Sequence, residues 1–195
     1  MKFLSRLNRG ALLTAAVIIA VAIYLIIVML SQNAQKPAIM DVCKKYVALE
    51  VKYSTLPDKY KTANPDMPKD EKDKLISNMT AEFNDALTNN EQMKNSIINR
   101  LKDSIEKQAA GVNVVSNYKN DILSYKNFTF SGNTVTVTIE AGVTYKLVSD
   151  AVESAVFDSG DILILEKVGG KWKVVYSDLP HPSQENSKYP QGVIR

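Results

Sequence analysis

The sequence predicts an α+β domain carried behind an N-terminal apolar helix, and three observations predict it. Residues Ala11–Leu30 run for 20 positions without a charge. Between residues 37 and 111 apolar residues recur at steps of three and four, the period of a helix face. After Gly111 the spacing drops to two, the period of a strand with one buried side.

The apolar run comes first. At about 1.5 Å per residue it spans a hydrocarbon core of roughly 30 Å, so a membrane-crossing helix over residues 11–31 is expected. A cleaved signal sequence has a shorter apolar region and a small-x-small exit. Here the exit Ser31-Gln32-Asn33-Ala34 puts Gln32 at the −3 position of a cut after Ala34. Lys2, Arg6 and Arg9 precede the run and only Lys36 follows closely, so the charge bias places residues 1–10 in the cytoplasm and the rest outside the cell membrane. Ten inner residues are too few for a catalytic domain. Ala16 and Ala20 form a small-xxx-small spacing, which chance supplies readily in an Ala-rich span.

Charge narrows the function. The chain has 24 basic and 21 acidic residues, and three of the basic ones lie in residues 1–31, which hold no acid. The remaining 21 and 21 cancel, so the exterior part is neutral and lacks the basic surface that a nucleic-acid partner requires. A single cysteine, Cys43, excludes an intrachain disulfide, so the core of the exterior part has to supply its stability. The Lys- and Asn-rich composition points to a bacterial source.

Residues 32–36 read as a linker and 37–179 as the domain. Pro37 suits a first helical turn, and Ile39, Val42, Cys43, Tyr46 and Val47 follow as one stripe. Cys43 on that stripe reads as a small buried hydrophobe. Leu56–Asp70 holds three prolines and many charges and reads as a surface connection. Acids at Asp70–Asp73 open a second helix through Leu75, Ile76, Met79, Phe83 and Leu87. Asn90 then caps a third, carrying Met93, Ile97, Leu101 and Ile105 and ending near Gly111.

The strands follow. Phe128 and Phe130 alternate before the turn Ser131-Gly132-Asn133, and a long strand continues with apolar residues at odd positions from Val135 to Leu147. Gly142 within it is a candidate bulge. A third strand covers Ala155–Val168, with Asp158-Ser159-Gly160-Asp161 as an interruption, and Gly169-Gly170 turns the chain into a last strand where Trp172, Val174 and Tyr176 alternate with lysines. Residues 180–195 form a Pro-rich tail that contains the one histidine, His181, which lacks acidic or cysteine neighbours at ligand spacing. The sequons at Asn78 and Asn127 are at the chance level for this asparagine content.

Helices followed by a meander that ends Leu165-Glu166-Lys167-Val168-Gly169-Gly170-Lys171-Trp172-Lys173-Val174-Val175 resemble the nuclear transport factor two-like superfamily over residues 37–179. The resemblance implies three helices packed on a curved antiparallel sheet, a cone whose final hairpin is structural. It also implies a range of functions, from isomerases and dehydratases through ligand binders to membrane-anchored assembly domains of secretion and conjugation machines. An enzyme of this kind needs a base near tyrosine donors inside the cone. Asp121, Asp150 and Tyr145 are conceivable, but both acids read as turn residues, so no catalytic residue, metal or cofactor is expected. A binding cone would be lined by Val137, Ile139, Tyr145 and Trp172. The favoured reading is a non-catalytic interaction or assembly component of a cell-envelope complex. Its expected partners are membrane lipid through residues 11–31, other envelope proteins and a second copy of itself, and the alternative is a small-ligand or peptide binder.

Overall fold

The computed structural model describes residues 9–150 and 153–179. Helix α1 covers Arg9–Tyr53, a short 3-10 turn Asp58–Tyr60, α2 Lys69–Ala86 and α3 Glu91–Ala109. Four strands follow: β1 Val115–Ser131, β2 Thr134–Leu147, β3 Ser154–Val168 and β4 Lys171–Ser177, paired antiparallel in chain order. The chain divides into two compact units, Met1–Pro37 and Ala38–Arg195.

In the first unit the apolar side chains point all round the helix, and Leu13 is 68% and Ile18 63% exposed. This is one helix long and apolar enough to cross a membrane. Residues 32–36, expected as a linker, are helical instead. The segment Ser31–Lys36 contains neither glycine nor a β-branched residue, so a helix nucleated on either side propagates through it at little cost. Pro37 therefore lies inside α1 rather than at a first turn. Having no N–H, it leaves the carbonyl four residues back without its helical partner.

The second unit is built as its periodicity predicts. The α1 stripe Ile39, Cys43, Tyr46 and Val47 is buried and meets Met79, Phe83 and Leu87 from the α2 region, Leu101 and Ile105 of α3, and Val135, Val137, Leu165 and Val174 of the sheet in one core. Tyr46 and Tyr53 both pack their rings on Phe83, with centroids 5.9 and 6.2 Å apart. The side-chain Oδ1 of Asn90 caps α3 by accepting from the Met93 N–H at 3.2 Å. Met93 itself is exposed, because the first turn of α3 overhangs the core. Leu87, one residue past α2, forms a parallel bridge with Val174, and the Thr88 N–H donates to the Val174 carbonyl at 2.9 Å.

The sheet departs from the sequence reading at its irregularities. Strand β1 is far longer than Phe128–Phe130 suggested, and it has three register shifts against β2, at Ser116, Leu123 and Lys126. Each inserts one residue, flips the alternation and increases the local twist, which hides the strand from a period-two search. Asp121 consequently sits in mid-strand opposite Gly142 rather than in a turn. Gly142 is in register on both sides, and the bulge between β2 and β3 falls opposite Glu140, at Ser159-Gly160 of β3. A further shift at Val175 turns Tyr176 outward, 41% exposed, and brings Ser177 into the interior. Gly169 and Gly170, at φ of 57° and 82°, make the left-handed pair that the tight β3–β4 hairpin requires. His181 and the tail lie outside the described residues.

Candidate functional site

The expected lining residues fall into two groups. Val137, Ile139 and Trp172 share the main core cluster with the helices. Tyr145 is half-buried beside a second, smaller cluster of Val115, Tyr118, Val143 and Leu147. The two conceivable acids are separate from both: Asp121 is exposed on β1, and Asp150 follows β2, where its carboxylate accepts from the Leu147 N–H at 3.4 Å. Cys43 is buried and unpaired by any disulfide, and burial pushes its thiol up to about 12. At neutral pH it is a protonated hydrophobe, as the stripe implied.

The structure also assembles a polar cluster that periodicity did not single out. Glu50 of α1 is fully buried and accepts from Tyr46 Oη at 2.7 Å and from the Arg100 guanidinium of α3 at 2.5 Å. Glu50 continues the spacing of Ile39, Cys43 and Tyr46, so a carboxylate on an apolar stripe was the available signal. Burial raises its pKa, against the opposing pull of Arg100 and Tyr46. Tyr118 and Asn120 of β1 and Asp161 of β3 are buried as well, and burial raises the Tyr118 hydroxyl's pKa, with the charge of Glu50 adding to it. Among the described residues, Glu50 Oε2, Arg100 Nε and Asn120 Oδ1 find no hydrogen-bond partner. Gln108 of α3 donates to the carbonyl of Ser54, the residue after α1, at 3.0 Å and accepts from the Val115 N–H at 3.1 Å, which ties the end of α1 to α3 and β1.

Clefts open on the outside of the unit, and two of them are lined by the described residues. The larger, about 920 Å³, lies between α1, α2 and the β3–β4 hairpin. Val42, Leu49, Ala81 and Trp172 give it an apolar lining, and charged residues of both signs stand round it, Asp41 and Lys45 on α1, Glu82 and Asp85 on α2, Lys171 and Lys173 on the hairpin. Asp41 and Lys45 pair with each other at 2.7 Å, and Glu82 pairs with Lys52 at 2.6 Å. Trp172 contributes to core and cleft alike, with Lys167 Nζ 5.6 Å from its ring centroid. The smaller cleft, about 450 Å³, lies between α1 and β1.

Among the described residues no group of three or more His, Cys, Asp and Glu side chains is placed to hold a metal ion. No family model, no curated protein and no solved structure matches this chain.

Proposed function

We propose that the protein is a single-pass, membrane-anchored domain displayed outside the cell membrane that works without catalysis, as a contact or assembly component of an envelope protein complex. The observation that carries this reading is the 920 Å³ cleft, whose apolar lining includes Leu49 and Trp172 and whose rim presents acids from the helices against Lys171 and Lys173 of the hairpin. Such a surface matches an amphipathic protein segment better than a small polar metabolite. Two turns of helix, about 11 Å long and about 10 Å wide, occupy roughly 850 Å³, which fits the space. The exposed apolar stretch of residues 12–30 supplies the anchor, and the basic residues before it favour an inner N-terminus. Helices followed by a four-stranded meander whose first strand is curved by bulges support reading the domain as a nuclear transport factor two-like cone.

Site-specific photocrosslinking in intact membranes tests this. A photoreactive residue at Leu49 or Lys173 should capture a discrete protein, while one at Thr136, on the opposite face of the sheet, should not. A full-length chain that migrates as a lone monomer after mild detergent extraction, with no crosslink from either position, would sink the reading.

The alternative, a small-ligand binder, has one observation in its favour: among the described residues, Glu50, Arg100 and Asn120 keep buried polar atoms without partners. A soluble ligand that raises the unfolding temperature in proportion to its concentration would support it.

A further inference from the structure

The smaller cleft has a construction that specifies its occupant. One wall is a stripe of α1, Lys44, Val47, Ala48 and Val51, and the other is the run Lys119–Ile122 of β1. Side chains along a strand alternate between two faces, so four consecutive residues can line one cleft only where it abuts the strand's backbone edge. That edge is the outer one, because β1 stands at the end of the sheet and its inner edge is taken by β2. The opposite end of the sheet is treated differently, since Leu87 and Thr88 bond to Val174 of β4. Among the described residues no strand pairs with the outer edge of β1.

We propose that this edge is a β-addition site, where an extended peptide segment of a protein partner lies between α1 and β1 as a fifth strand. The inference rests on the reading of the domain as a protein-contact module and names the partner's chemistry. Three features fix that chemistry. The register shifts at Ser116 and Leu123 bound a regular run from Asn117 to Ile122, so pairing is confined to a short segment. An extended residue takes about 3.3 by 4.8 by 10 Å, roughly 160 Å³, so a 450 Å³ cleft holds about three residues, in keeping with the four that line it. Val47, Val51 and Ile122 ask for an apolar side chain, and Lys44 and Lys119 outnumber Asp121 on the exposed rim. The segment is therefore one with alternating apolar and acidic residues.

The test uses the full chain in phosphatidylcholine nanodiscs and a fluorescein-labelled six-residue peptide of alternating valine and glutamate, capped at both ends. Anisotropy should show saturable binding, and amide exchange in residues 117–122 should slow on adding peptide. Two N-methylated versions, each with methyl groups on one alternate set of backbone nitrogens, probe the edge directly, because the side chains are unchanged. One set should weaken binding by at least about tenfold and the other should leave it intact, since a strand offers each edge only alternate N–H groups. Lys44→Glu, at an exposed position, should weaken binding several-fold. Absence of binding at millimolar peptide, equal behaviour of the two N-methylated versions, or unchanged exchange at residues 117–122 would each overturn the proposal. Protection of that run that rises with protein concentration and without peptide would overturn it too, by assigning the edge to a second copy. If crosslinks from Leu49 or Lys173 persist while the peptide fails, only the β-addition site is rejected.

Discussion

Helix α1 contains two apolar stretches with opposite fates. From residue 12 to 30 the side chains cover the whole circumference, and Leu13, Ile18 and Tyr24 are all more than 60% exposed. From residue 39 to 53 the buried apolar residues lie along one stripe, and Ile39, Cys43 and Tyr46 have no exposed surface at all. The richer stretch is the one left outside the core. What decides is arrangement: a helix apolar all round has no polar side to turn to water and suits lipid, while a stripe can be covered by a globular core and leave Lys44 and Lys45 in solvent.

The contrast is broken most sharply by the same truncation on either side of Pro37. Ile39→Ala should destabilise the second unit by about 2–5 kcal/mol, through lost burial and a residual cavity. Ile26→Ala should move its unfolding midpoint by less than about 0.5 kcal/mol. Denaturant unfolding in detergent, followed by Trp172 fluorescence, reads both, and equal effects would refute the distinction. A charge probes the other side: Ile19→Arg should cost membrane insertion about 2.5–3.5 kcal/mol and shift the chain toward the alkali-extractable fraction, with no change in the domain's unfolding.

A third prediction concerns the acid placed on the buried stripe. Glu50 has a folded pKa raised by burial, so the folded state holds its proton more tightly than the unfolded state does. Its contribution to stability is complete below the unfolded value, about 4.3, and is lost as the pH rises through the folded value. Glu50→Gln should flatten stability against pH on the alkaline side of about 4.3, and a profile identical to that of the parent chain would contradict the assignment. The smallest effect is expected at the end of a helix: Asn90→Ala removes the acceptor for the Met93 N–H and should cost about 1 kcal/mol in the same unfolding measurement.

Much of this fold is legible in the residues, for reasons that also explain what is not. Helices α2 and α3 declare themselves because Met79, Phe83, Leu101 and Ile105 keep strict spacing and Asn90 is a strong cap. Strand β2 alternates without interruption from Val135 to Val143, and Gly169-Gly170 marks the β3–β4 hairpin unambiguously. Strand β1 fails the same search because three inserted residues reset its phase, and Tyr176 is misassigned because Val175 does so once. Residues 32–36 show a third kind of failure, since a polar segment without a breaker carries no mark distinguishing linker from helix. The sites were least legible. Each wall of the two clefts joins segments remote in sequence, α1 with β1 in one and α1 with α2 and Lys171–Lys173 in the other, and pattern along the chain says nothing about such meetings. Glu50 and Arg100, 50 positions apart, find each other only through tertiary packing.

Cys43 has a practical consequence. It is the chain's one thiol, it has no exposed surface, and its pKa is held up to about 12, so maleimides and methanethiosulfonates at neutral pH find nothing to react with in the folded protein. The unaltered chain is thus its own blank. Single cysteines introduced at solvent-facing positions can carry spin labels or fluorophores one at a time, giving distances across a reconstituted assembly without first engineering a thiol-free background.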